Sequence, residues 1–170
     1  MKACKAVIIS LLLLTAASAN AAMYTWSTEI TGDQERPNPT PSPAVGIGSG
    51  TYNDTTNMLD WVITFDPDEL LAPETMAHFH QITNLTTRVG PPIINLPLGS
   101  PKTGSAMLTD TQETAFFAGL TYINIHSTLY PGGEIRGDIT QDAISAVPEP
   151  STVALGATGL LLMYAWRRRS

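Results

Sequence analysis

Three histidines are the residues of this sequence best suited to chemistry. Two form the run His78-Phe79-His80, and the third closes Thr121-Tyr122-Ile123-Asn124-Ile125-His126. On a strand, side chains alternate between faces, so His78 and His80 share one face, as do Tyr122, Asn124 and His126. A His-x-His pair with a third imidazole suits copper or zinc, which bind the neutral ring. Downstream, Glu134, Arg136 and Asp138 fall on one face of another short run. Suppose 120–127 and 134–140 form a hairpin over Tyr130-Pro131-Gly132-Gly133. An even register with His126 opposite Glu134 then aligns Asn124 with Arg136 and Tyr122 with Asp138. An odd register separates the two sets. In the even case Glu134 or Asp138 becomes the candidate fourth ligand, or the partner of a ligating ring. The competing expectation is a structural polar cluster of His78, His80, Tyr122, Asn124, His126, Glu134 and Arg136 that holds no cofactor.

Short strands must position these groups. Tyr24, Trp26, Thr28 and Ile30 alternate with Thr25, Ser27 and Glu29, and Leu59, Trp61, Ile63 and Phe65 alternate with Asp60, Val62 and Thr64. Period-two alternation predicts one face in and one face out. Further strands are predicted over 47–53, 76–82, 93–98, 104–109, 120–127 and 134–140. The breaks carry Pro, Gly and Asn. Pro37, Pro39, Pro41 and Pro43 predict a stiff extended loop. Only 110–117 suggests a helical turn, capped by Asp110 or Thr111. Eight short strands at this spacing predict an antiparallel sandwich.

The chain has 170 residues, 43% hydrophobic and only 14% charged, which argues against wholesale disorder. Between 23 and 146 it holds fourteen acids and four bases, a net of −10 that the whole-chain value of −6 conceals. Such a body repels DNA and anionic polymers, so a nucleic-acid partner is not expected. The single cysteine, Cys4, excludes an internal disulfide and a thiolate zinc cage. There is no Gly-x-Ser-x-Gly elbow and no phosphate loop. Asp66-Pro67-Asp68-Glu69 lacks a calcium-loop ladder and reads as a solvated turn. The Asn53 and Asn84 sequons are taken as chance.

Both ends read as addresses. Lys2 and Lys5 precede an apolar run of about a dozen residues and the small-residue stretch Ala17 to Ala22, the pattern of a secretory signal peptide over 1–22 removed by signal peptidase. At the other end stand Val147-Pro148-Glu149-Pro150-Ser151-Thr152, the apolar segment 153–166 and Arg167-Arg168-Arg169. An apolar segment with a basic flank predicts a membrane helix, short of the usual span of about 20 residues, with its end on the cytoplasmic side. This three-part tail resembles the PEP-CTERM sorting signal. The resemblance implies handling by an exosortase in a bacterium, often alongside exopolysaccharide production. It also implies a transient membrane anchor before cell-surface or extracellular delivery.

The body has its own resemblance. Thr31-Gly32-Asp33-Gln34-Glu35-Arg36-Pro37, Ala77-His78-Phe79-His80, Tyr122 to Ser127 and Tyr130-Pro131-Gly132-Gly133-Glu134-Ile135-Arg136-Gly137 are similar to the CHRD domain. Arg36 departs from the family's usual aliphatic residue, and Gln81 from its usual glycine. The resemblance implies an immunoglobulin-like β-sandwich over 23–146 with no established enzymatic activity. A looser likeness to copper/zinc superoxide dismutase rests on His-x-His and Gly132-Gly133-Glu134-Ile135-Arg136. That family's disulfide, bridging histidine and zinc loop have no counterpart. The expectation is therefore a non-enzymatic binding or structural module of the envelope or extracellular matrix, meeting polymer or protein partners. The alternative is a copper- or zinc-binding protein using His78, His80 and His126, with dismutase-like redox activity as its extreme form.

Overall fold

The computed structural model describes residues 22–147. Nine strands form: β1 (Met23–Thr31), β2 (Val45–Asn53), β3 (Met58–Phe65), β4 (Glu74–Gln81), β5 (Pro92–Leu96), β6 (Lys102–Met107), β7 (Thr121–Ser127), β8 (Ile135–Ile139) and β9 (Ile144–Ala146). One helix, α1 (Asp110–Phe117), precedes β7. Eight strands lie close to the segments that alternation predicts. The short β9 was not expected; it extends the sheet beside the start of β1, pairing Tyr24 with Ala146 and Trp26 with Ile144. Helix α1 is capped by Thr109, not by the expected Asp110 or Thr111. The Thr109 hydroxyl accepts from Gln112 N, and the Gln112 side chain accepts in return from Thr109 N.

The strands make one antiparallel sheet in the order β5-β4-β7-β8-β1-β2-β3-β6, with β9 on β1. The ladder curls and nearly closes, its halves β5-β4-β7-β8 and β1-β2-β3-β6 joined through one residue pair, Thr31 with Arg136. The two edge strands, β5 and β6, follow one another in sequence, so the short 97–101 segment holds the sheet's edges together. Lys102 clasps this seam. Its buried ammonium pairs with Glu74 of β4 and donates to the carbonyls of Pro97 (2.8 Å) and Gly99 (2.7 Å). Near-closure answers the edge-strand problem that a sandwich leaves open.

The inner face of the curled sheet is the apolar core, where Ile30, Leu59, Ile63, Phe79, Ile123, Ile125, Ile135 and Ile139 are buried. Each such side chain contributes about 1.5–3 kcal/mol by leaving water. Phe79 packs edge-on against Trp26 (centroids 6.0 Å) and Trp61 (5.3 Å). Its neighbours His78 and His80 are thereby turned to the opposite, outer face. Ile123 and Ile125 turn Tyr122, Asn124 and His126 outward in the same way, and Ile135 and Ile139 turn Arg136 and Asp138.

That outer face is not solvated, which alternation alone does not foresee. All seven residues of β7 are buried, and so are Ile135, Arg136, Gly137 and Ile139 of β8. Loops 32–44 and 82–91 and the turn 128–134 lie over the polar side chains. Among the described residues no helix is long and apolar enough to cross a membrane. Residues 1–21 of the expected signal peptide and the 148–170 part of the sorting tail lie outside the described residues, including Pro148, Glu149, Pro150, Arg167, Arg168 and Arg169; Val147, at the boundary, donates its N–H to Met23 O at 2.7 Å.

Candidate metal centre

Strand pairing assembles the outer face. β7 pairs with β8 so that Asn124 meets Arg136 and Tyr122 meets Asp138, the even register. On its other side β7 pairs with β4, setting His80 beside Tyr122, His78 beside Asn124 and Met76 beside His126. The three imidazoles therefore come from two adjacent strands, and one ring nitrogen from each lies within 4.8 Å of the others. His78 Nδ1 stands 3.4 Å from His126 Nε2. With metal–nitrogen bonds of about 2.0–2.1 Å, two ligands of a tetrahedral site stand roughly 3.3–3.4 Å apart.

Backbone carbonyls fix two of the rings. His80 Nδ1 is 2.9 Å from Gly90 O, and His126 Nδ1 is 3.0 Å from Pro131 O. A carbonyl only accepts, so both Nδ1 atoms carry the proton and both Nε2 atoms present a lone pair. This anchoring is how proteins orient ligating imidazoles. His80 Nε2 is buried and has no hydrogen-bond partner. Burial pushes the His80 pKa down to about 4, aided by His126, His78 and Arg136 and opposed by the Gly90 contact. Burial also lowers the pKa of His78, and that of His126, where His78 adds to the effect against the Pro131 contact. The rings are therefore neutral, the form that binds metal.

The Arg136 guanidinium lies 3.6 Å over the Tyr122 ring, and that ring stacks on His80 at 4.7 Å and 12°. Arg136 is buried; its Nε donates to Asp138 Oδ1 (2.7 Å) and its Nη2 to Arg88 O (2.7 Å). Arg88 reaches Asp138 Oδ2 at 3.5 Å. Asp138 is thus held by two arginines. Glu134 is held as well, accepting from Ser42 Oγ (2.7 Å) and Leu71 N (2.6 Å) through Oε1. Neither carboxylate joins the histidines, which corrects the expectation of Glu134 or Asp138 as fourth ligand. Asp138 instead orients Arg136, which packs on Tyr122 and so holds the face of His80.

Sequence reasoning gave no role to Glu35, Arg88, Gly90 or Pro131. Their contacts cross long stretches of chain or use backbone carbonyls, and neither leaves a side-chain pattern. Glu35 is buried beside Asn124, where Gly133 leaves room: a Cβ there would stand 2.4 Å from the Asn124 amide and 2.6 Å from Glu35 Oε1. Gly133 has φ +133°, a conformation open to glycine. Burial raises the Glu35 pKa to about 7, against Arg136, the Arg36 N–H and Asn124, with Asp138 adding to the rise. Asn53 and Asn84 serve turns, each accepting two backbone N–H bonds through its side chain. The Asp66 carboxylate accepts from Asp68 N in an exposed turn.

The CHRD domain family model matches residues 26–139, and the PEP-CTERM protein-sorting motif matches residues 146–169. No curated protein and no solved structure matches the chain significantly. The first match spans the strands that carry all three histidines and ends at the last residue of β8; the second begins at the last residue of β9. The chain belongs to the CHRD domain family and carries a PEP-CTERM sorting motif at its C-terminal end.

Proposed function

We propose that this is an exported, exosortase-processed protein whose body acts without catalysis, as a module that binds a transition-metal ion at the bacterial surface or in its matrix. The sorting motif implies export and exosortase processing. One observation supports the metal: two imidazoles are anchored through Nδ1 to backbone carbonyls, and their Nε2 atoms face a third histidine, that of His126 3.4 Å from His78 Nδ1 and that of His80 buried with no hydrogen-bond partner. A polar seam alone leaves His80 Nε2 buried without a donor, a cost of about 1–3 kcal/mol. A bound ion would remove that cost. The arrangement offers less to redox catalysis, because only three histidines are available. The acidic body favours cations in its surroundings and disfavours anionic polymer unless cations bridge the two.

The test is metal analysis of the processed protein by mass spectrometry after exposure to copper and zinc, beside His78→Ala/His80→Ala. Near-stoichiometric metal that the variant loses supports the reading. A wild-type protein that takes up neither ion returns the histidines to a structural role. The ligand of the module is then an extracellular protein or polymer.

A further inference from the structure

Three imidazoles leave a tetrahedral site one donor short. Neither nearby carboxylate joins the histidines: Glu134 Oε1 accepts from Ser42 and Leu71, and Asp138 is held by Arg136 and Arg88. Glu35 is engaged around Asn124 and Gly133. Asn124, in the same rows, carries its amide against Gly133 and Glu35, and the soft donor in those rows is Met76. Met76 pairs directly with His126 across the β4–β7 ladder. It lies two and four residues before His78 and His80, and so on their face. Residues directly opposite in an antiparallel pair have Cβ atoms about 4.5–5.5 Å apart, within the reach of an unbranched methionine. Met76 is 46% exposed, so its thioether is not committed to the core. The deep side of the cluster is closed by Tyr122 and the carbonyls of Gly90 and Pro131. His78 is half-buried and Met76 more exposed, so the side open to solvent is the side where Met76 stands.

We propose that the three-histidine cluster is a copper site, with the Met76 thioether as its fourth, solvent-side ligand. The inference rests on the metal-binding reading above and names its metal. Imidazole serves both zinc and copper; a thioether is a soft donor that selects Cu(I). A donor set without carboxylate or water-held oxygen gives magnesium, calcium or manganese nothing they prefer. The bulge between Glu74 and Met76 interrupts regular pairing just before Met76, where bulges commonly re-aim a side chain.

The experiment is a competition titration of the processed protein against a chromogenic Cu(I) chelator and, separately, a Zn(II) indicator. Wild type, Met76→Leu and His80→Ala are compared, with copper K-edge absorption on the loaded protein. Leucine keeps the bulk of an exposed side chain, so folding is preserved. Met76→Leu should weaken Cu(I) binding at least about tenfold, leave Zn(II) affinity unchanged and remove a sulfur scatterer from the copper shell. His80→Ala should lose both metals. Metal binding that His80→Ala abolishes and Met76→Leu leaves unchanged, with no sulfur scatterer, would overturn the copper assignment and leave the metal reading standing. Wild-type protein that binds neither ion would overturn both.

Discussion

Replacing Glu35 with glutamine should stabilise the protein, and more so as pH rises. Glu35 is buried, and its Oε1 and Asn124 Oδ1 are two acceptors without hydrogen-bond partners beside Gly133. The groups around it are Arg136 and Asp138 on β8, Asn124 on β7 and the Arg36 N–H, and burial prevails, carrying its pKa from 4.5 to about 7. A folded pKa above the unfolded one means the native state binds the extra proton between these values. The stability from Glu35 is fully present below about pH 4.5 and is lost as pH rises through 7. A rise of about 2.5 pKa units corresponds to a loss of about 3 kcal/mol, good to roughly 1 kcal/mol. Glutamine mimics the neutral acid and leaves no charge to bury at any pH. Glu35→Gln should match wild type near pH 4.5 and exceed it by about 3 kcal/mol at pH 8, a rise in Tm on the order of 10 °C. The assay is urea unfolding of both proteins from pH 4.5 to 8.5; the imidazoles titrate alike in both and cancel in the difference. A difference that stays flat with pH, or falls, would refute the reasoning.

Lys102→Met leaves the buried Glu74 carboxylate without its cation at the seam between the sheet edges. It should cost about 3–5 kcal/mol in urea unfolding, and Lys102→Met/Glu74→Leu should recover most of that. Gly133→Ala adds a methyl against Asn124 and Glu35 at φ +133°. It should lower stability by about 2 kcal/mol or more, seen as a fall in Tm; an unchanged Tm would mean the turn relaxes freely. Saturating copper should raise the Tm of wild type and leave that of His80→Ala unmoved; at a hundredfold excess over Kd the gain is about 2.7 kcal/mol.

The strands were legible because Tyr24 to Ile30 and Leu59 to Phe65 alternate cleanly, and alternation records which side faces the core. The faces of the histidines were legible too, since Phe79, Ile123 and Ile125 occupy the intervening positions. Near-closure was not, because alternation says nothing about whether the first and last strands of a ladder meet. The clue was Lys102, an ammonium that fits a buried place only through its Glu74 pair. The cover over β7 was hidden as well. Around it, Thr40, Ser42 and Leu71 meet Glu134, Arg88 meets Arg136 and Gly90 meets His80, all from distant loops, and loop contacts carry no period. For the same reason Glu134 and Asp138 looked free for a metal, when each already has partners.

The central claim is that His78, His80 and His126 converge on one metal ion. Crystals of the copper-loaded protein, measured on either side of the copper absorption edge, test it directly. The account predicts one anomalous peak roughly 2 Å from His78 Nδ1, His80 Nε2 and His126 Nε2. It also predicts that the Gly90 and Pro131 carbonyls still hold the far nitrogens of His80 and His126. A peak elsewhere, or rings that turn apart with no peak between them, would contradict it.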